Sequence, residues 1–202
     1  MGLYQKYFAH SLAWGDEAQH RLYGERKRRL FAGLSGTVVE IGPGTGVNLP
    51  YLPDELRWIG LEPNPHMHSF LYEKLPGRDL DAELRTTPAQ DTGLPNACAD
   101  AVISTLVLCS VPDVDEALTE LKRILKPDGR LLFIEHVAAP SDSWLCTCQR
   151  TIKPLWRTMA DDCRPDRDTE SALRHHFTDV SVERFRTGLP VVSPHIMGTA
   201  TV

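Results

Sequence analysis

The sequence predicts an α/β domain in which a mostly parallel sheet of seven strands carries helices on both faces and closes in a C-terminal antiparallel hairpin. Three observations predict it. Short β-branched runs alternate with segments of helical period over about 130 residues, the signature of a parallel sheet. The first run ends in a glycine-rich turn, Gly42-Pro43-Gly44-Thr45-Gly46. No repeat or low-complexity linker divides the chain.

The elements follow in order. Residues 17–33 have the spacing of an amphipathic helix, with Leu22, Leu30 and Phe31 on one side. Thr37–Ile41 is a short strand, and a helix is expected to begin near Gly46. Arg57–Leu61 is a second strand, followed by Glu62-Pro63-Asn64-Pro65 and a helix to about Leu75. Glu83–Thr86 is a weak third strand, and Asp100–Leu106 a strongly apolar fourth. Over 113–125, Val114, Leu118, Leu121 and Leu125 recur at helical spacing, and Lys126-Pro127-Asp128-Gly129 reads as the stop. Arg130–Val137 is the fifth strand. Helices are expected over 143–160 and 169–176, then strands over 180–186 and 191–202. The chain reads as one domain: an N-terminal lid or helix (1–35), a ligand-binding core (36–137), and a tail of helices and closing strands (138–202).

Of the 202 residues, 42% are hydrophobic and 24% charged, which fits one globular domain with a full core. The formal net charge of −5 leaves no electrostatic footprint for nucleic acid. The one basic cluster, Arg26-Lys27-Arg28-Arg29, lies in a helical pattern and reads as a solvated face or an anion contact. No uninterrupted apolar run marks a signal peptide or span, so a cytoplasmic protein without stable membrane insertion is expected. The five cysteines (Cys98, Cys109, Cys146, Cys148 and Cys163) are odd in number and are expected as free thiols. No cysteine and histidine pairs stand at zinc spacing, so no metal is expected. A monomer is plausible.

Glycines in a strand-to-helix turn let a ligand approach the backbone. The dinucleotide fingerprint is G-x-G-x-x-G; here the spacing is one residue shorter, and Pro43 removes a backbone donor. Glu40, just before the turn, would repel a pyrophosphate but suits a ligand carrying a sulfonium and an ammonium. Glu62 stands 20 residues after Gly42, where an acid can accept both hydroxyls of a ribose.

With these features the sequence resembles the class I, Rossmann-like S-adenosylmethionine-dependent methyltransferases over about residues 36–137. Glu40-Ile41-Gly42-Pro43-Gly44-Thr45-Gly46 looks like their first motif and Leu61-Glu62-Pro63-Asn64 like their second. Pro88-Ala89-Gln90-Asp91 stands where the family often has an acid for the adenine amine; Gln90 takes that place, with Asp91 as rival. The resemblance implies S-adenosylmethionine as cofactor, held by Glu40, Gly42, Gly44, Gly46, Asn48, Glu62, Pro63, Asn64, Ala89, Gln90, Asp91, Thr105 and Leu106. A narrower resemblance covers nearly the whole chain. Residues 105–111, Glu135-His136-Val137, Pro154-Leu155-Trp156, Asp162-Cys163 and Pro194-His195-Ile196-Met197-Gly198 look like the alkyl thiol methyltransferases of animals. It implies S-methylation of a small-molecule thiol; the same segments also resemble quinone-biosynthesis C-methyltransferases, which keeps a phenolic or quinone-like acceptor open. The animal members carry a hydrophobic N-terminal anchor, and no such run stands in this sequence.

A thiol must lose its proton before it attacks a methyl group, and a histidine suits that task. His136, at the end of the fifth strand, is the leading candidate; its alternative role is to orient a loop. His195 is the second candidate. Cys109 follows the fourth strand, either lining the pocket or packing as a small hydrophobe. Trp144, Trp156, Met159 and Phe177 are candidates for an acceptor wall or for core. Tyr4, Tyr7, Phe8 and Trp14 are candidates for a lid, with Tyr7 and Phe8 on the acceptor, or for ordinary edge packing. The tetrapeptide used for amino groups on bases is absent after the fourth strand, where Ser104-Thr105-Leu106-Val107 stands.

Overall fold

A computed structural model describes residues 2–202. The strands are β1 (Thr37–Ile41), β2 (Leu56–Leu61), β3 (Leu80–Arg85), β4 (Ala99–Thr105), β5 (Leu125–His136), β6 (Asp179–Arg186) and β7 (Pro194–Thr201). They form one seven-stranded sheet in the order β3-β2-β1-β4-β5-β7-β6. The five strands from β3 to β5 pair parallel; β7 pairs antiparallel with both β5 and β6. The helices are α1 (Gly2–Phe31), α2 (His68–Lys74), α3 (Val114–Ile124), α4 (Trp144–Met159) and α5 (Thr169–His176).

A central parallel strand buries both faces, so consecutive apolar residues part to opposite sides. Val39 and Ile41 join α3 and α5 in one core with Leu118, Leu121, Phe133 and Leu173. Val38 points the other way, with Phe31, Trp58, Leu71 and Leu132. The strand order reverses between β1 and β4. In an open α/β sheet the crevice beyond the carboxyl ends of such strands is where ligands bind.

Four expectations are corrected. The first helix runs over 30 residues rather than starting at 17. Its front half lays Phe8 and Leu12 over a cavity instead of an apolar stripe on the sheet, so no clean periodicity marks it. No α-helix begins at Gly46. Only a 3-10 turn, Leu49–Tyr51, forms there, with Pro50 inside it and Pro53 just beyond. The helix stops before Lys126-Pro127-Asp128-Gly129 as expected, but the fifth strand starts at Leu125 rather than Arg130 and carries that segment as a bulge. Ala99 faces Leu125 and Ala101 faces Arg130, so residues 126–129 loop out of β5. The basic cluster is not a solvated face. Four consecutive residues point all round a helix, and Lys27 is fully buried, its Nζ 3.4 Å from the Val47 carbonyl. Arg26 stacks on Phe185, and Arg29 pairs with Glu183.

Candidate active site

A cavity of about 660 Å³ opens beyond the carboxyl ends of β1, β4 and β5. On one side lies the glycine turn. Gly42, Gly44 and Gly46 have φ of 53°, 57° and 81°, which side chains of L-residues rarely tolerate. A Cβ on Gly42 would stand 2.7 Å from Val107, so the turn is packed from behind. A Cβ on Gly44 would meet nothing nearer than 3.9 Å, so the turn is open in front.

Glu62 ties this turn to the end of β2. Its Oε2 accepts from the Gly44 amide and its Oε1 from the Asn64 amide, both at 2.9 Å. Burial pushes the Glu62 carboxyl up, and those two amides pull it back. Pro63 and Asn64 line the cavity beside it. Asn64 also donates to the Gln5 carbonyl at 3.2 Å, while Asp16 accepts from Thr45 and Lys74 at 2.6 Å each, which docks α1 on the turn. From α1, Gln19 reaches the cavity with its Oε1 buried and unpartnered. An orphan acceptor beside an open glycine turn fits a ligand that brings an N–H donor, such as the ammonium of S-adenosylmethionine. The Glu62 carboxylate fits its ribose.

The other expected cofactor residues divide. Ala89, Gln90, Thr105 and Leu106 line the cavity; Asp91 is exposed and off its wall, so of the two rivals Gln90 faces the ligand space. Leu106 has φ 59°, backbone strain of a kind that gathers at functional sites. Glu40 does not stand beside the ligand space. It lies behind the turn, fully buried, accepting from Trp58 Nε1 and Asn48 Nδ2 at 2.8 Å each. Burial raises its carboxyl, and those two bonds oppose the shift. Asn48 also donates to Thr105 at 3.1 Å, so it braces β1 against β4 from below. Gly46 packs beneath the turn against Leu49 and Leu71.

The opposite wall gathers a histidine and two cysteines. His136 ends β5, and its Nε2 lies 3.0 Å from Cys163 Sγ. Trp156 donates from its indole to the same sulfur at 3.3 Å. Cys109 completes the group: one donor atom each from Cys109, His136 and Cys163 falls within 4.8 Å of the others, and all three residues are buried. The His136 to Cys163 contact is a hydrogen bond, since sulfur and nitrogen on a tetrahedral zinc stand about 3.5 Å apart. The nearby Cys109 sulfur, with His136 and Trp156 behind it, holds Cys163 below the usual thiol range. Its contact with Cys163, and burial, push Cys109 well up. The segment that delivers Cys163 is itself strained. Asp161 and Asp162 have φ of 47° and 59° and line the cavity with it. With the Cys163 sulfur taken as the acceptor, Nε2 of His136 is assigned the proton and Nδ1 the lone pair. That Nδ1 is buried and has no protein partner.

His195 has a different place. It faces His136 across the β5–β7 pairing but lies off the cavity wall. Its Nδ1 donates to the Ser193 carbonyl at 3.0 Å, so its Nε2 accepts from the Tyr23 hydroxyl at 2.8 Å. Burial pulls it down to about 4. Both nitrogens are committed, and His195 is a packing residue rather than a base. Of the aromatic candidates, Phe8 and Trp156 line the cavity. Tyr7 and Trp144 are 70% and 76% exposed and stand outside it, as do Trp14 and Met159. Tyr4 accepts from the Asp161 amide at 3.0 Å, and Phe177 is buried in the core. Sequence reasoning missed Leu12 and Gln19 of α1 as cavity residues. It named Cys163 only within a resemblance, because no local pattern announces a residue whose partners lie 27 and 54 positions away.

Residues 39–133 match the family model described as a methyltransferase domain. The chain is 36% identical to human thiol S-methyltransferase TMT1B, over 98% of this chain and 87% of that protein. It is 32% identical to human TMT1A, over 97% and 86%. Among solved structures, a S-adenosylmethionine-dependent methyltransferase of Thermotoga maritima, titled a possible histamine N-methyltransferase, superposes with TM-score 0.72 at 19% identity, over 100% of this chain and 99% of that one. Geranyl diphosphate C-methyltransferase of Streptomyces coelicolor, solved with S-adenosylhomocysteine, gives 0.70 at 16%, over 90% and 81%. The chain belongs to the class I S-adenosylmethionine-dependent methyltransferases.

Proposed function

We propose that the methyl acceptor is a small-molecule thiol and that His136 receives its proton. The observation that carries this reading is the wall of His136, Cys163 and Cys109 in the same cavity as the glycine turn and Glu62. The likeness to the thiol S-methyltransferases supports it over nearly the whole chain. The cavity is of the size that takes small molecules, and the net charge of −5 gives no hold on nucleic acid.

When bound, S-adenosylmethionine supplies an electrophilic methyl group on a sulfonium. Gly42, Gly44, Glu62 and Gln19 would hold the cofactor on one side of the cavity, whose lining continues through Pro88, Ala89 and Gln90. Phe8, Leu12 and Trp156 exclude water from the acceptor space. Holding two reactants in line is the larger part of such catalysis. The rest is the proton. Cys163 fixes the His136 ring through Nε2 and leaves Nδ1 as the receiving atom. The neighbouring sulfur carries the counter-charge when the ring takes the proton, the part an aspartate plays in a hydrolytic triad.

A panel of alkyl thiols, phenols and quinols, each incubated with S-adenosylmethionine and read by mass spectrometry, tests the reading. Methyl thioethers are expected from the thiols. Turnover of a phenol or quinol with every thiol inert would overturn it.

A further inference from the structure

Methyl transfer to an outside thiol uses neither cavity cysteine as a nucleophile, yet two stand close together on its wall. Cys109 and Cys163 come from segments 54 residues apart, and the backbone joins them: the Arg164 amide donates to the Cys109 carbonyl at 3.0 Å. Their sulfurs lie within 4.8 Å of each other, and both line the cavity. The pair is also asymmetric. Cys163 receives hydrogen bonds from an imidazole and an indole, while Cys109 has the Leu106 carbonyl and the Ser110 hydroxyl at 3.6 Å. One sulfur is arranged as a thiolate and the other as a thiol, the division of labour between an attacking and a resolving cysteine. Cys146 and Cys148, two positions apart on one helix, face different sides and cannot act so.

We propose that Cys163 and Cys109 form a thiol–disulfide exchange pair that opens the disulfide form of the acceptor inside the cavity. That the disulfide is the oxidised acceptor rests on the thiol reading above; the exchange itself needs no cofactor. In the first step the Cys163 thiolate attacks one sulfur of R–S–S–R. The Cys163–S–S–R bond forms, the R–S–S–R bond breaks, and one thiolate leaves. In the second step Cys109 gives its proton to His136 and attacks the Cys163 sulfur. The Cys109–Cys163 disulfide forms and the second thiolate leaves. The disulfide has gained two electrons and become two thiolates, one of which can take the Cys109 proton back from His136 and the other a proton from water; the protein has lost two electrons. A cellular thiol of low molecular weight restores the pair by the reverse exchange. The released thiolate is left in the acceptor space where methyl transfer takes place.

The test uses the full chain, reduced and desalted, without S-adenosylmethionine. It is treated with bis(2-hydroxyethyl) disulfide at about pH 6, where an ordinary thiol is under about 1% ionised. Released thiol is counted, and the cysteines are mapped by peptide mass spectrometry. In the wild type, two thiols released per chain and a Cys109–Cys163 cross-link are expected; this reading needs no variant. In Cys109→Ser, one thiol and a mixed disulfide on Cys163 are expected, formed at least about tenfold faster than on exposed Cys148. Modification of Cys148 with Cys163 untouched would overturn the proposal. So would an adduct on Cys109 in Cys163→Ser formed as fast as the wild-type cross-link. The exchange is read without methyl donor and the acceptor panel without disulfide, so either reading can fail alone.

Discussion

The two sides of the cavity are built by different rules. The cofactor side is local. Three glycines stand within five residues, and the acid at the end of the next strand, Glu62, accepts from the Gly44 and Asn64 amides at 2.9 Å each. The acceptor side is assembled at a distance: Cys109 follows β4, His136 ends β5, Trp156 comes from α4, and Cys163 is delivered by two residues with positive φ. The first is a turn that must have one shape to hold one ligand. The second is a wall on which the choice of acceptor rests, reached by segments free to vary independently.

Breaking the cofactor side gives the largest effect on ligand affinity. Glu62→Ala leaves the Gly44 and Asn64 amides without their acceptor and removes the carboxylate from the cavity. A buried donor left unsatisfied costs about 1–3 kcal/mol, so S-adenosylhomocysteine should bind roughly 10- to 100-fold more weakly by calorimetry. Unchanged affinity would mean that Glu62 only holds the turn and does not meet the ligand.

His195, which lies behind the wall with both ring nitrogens committed, should show itself in stability instead. His195 is held at about 4, below its ordinary 6.5. The unfolded chain therefore takes this proton first, and the folded state loses stability as pH falls from 6.5 to 4. At about 1.4 kcal/mol per unit, the loss is at most roughly 3 kcal/mol, complete below pH 4. Chemical denaturation of the wild type and His195→Gln across this window reads the difference. The variant should lack this part of the acid destabilisation, while its thiol turnover at neutral pH stays within about threefold of wild type once folding is matched. A loss of turnover like that of a His136 variant would return His195 to the chemistry.

The contrast also explains what the sequence discloses. Gly42 to Gly46 and Glu62 are legible because a tight turn and a strand end write their requirements into neighbouring residues. The alternation of strands and helices is legible for the same reason, down to the closing hairpin of β6 and β7. Glu40 is misplaced by that reasoning, because adjacency to the turn does not tell front from back; Trp58 and Asn48 claim it from behind. The front of α1 escapes notice since its apolar residues serve a cavity rather than a continuous core. Tyr7 and Trp144 are aromatic and close in sequence to wall residues, but each points out from its helix. Cys163 has no local signal at all: its meaning lies in His136 and Cys109, which only the fold brings to it.

The central claim, that His136 takes the proton of a thiol acceptor, is tested most directly with thiols of graded acidity. Rates of methyl thioether formation at neutral pH would be compared for the wild type and His136→Ala. Alkyl thiols arrive protonated, and the variant should lose about 10²- to 10⁴-fold on them. Acidic aryl thiols arrive already ionised, and on them the loss should shrink to within about tenfold. An equal loss on both classes would contradict the account, leaving His136 a wall residue that shapes the site without moving the proton.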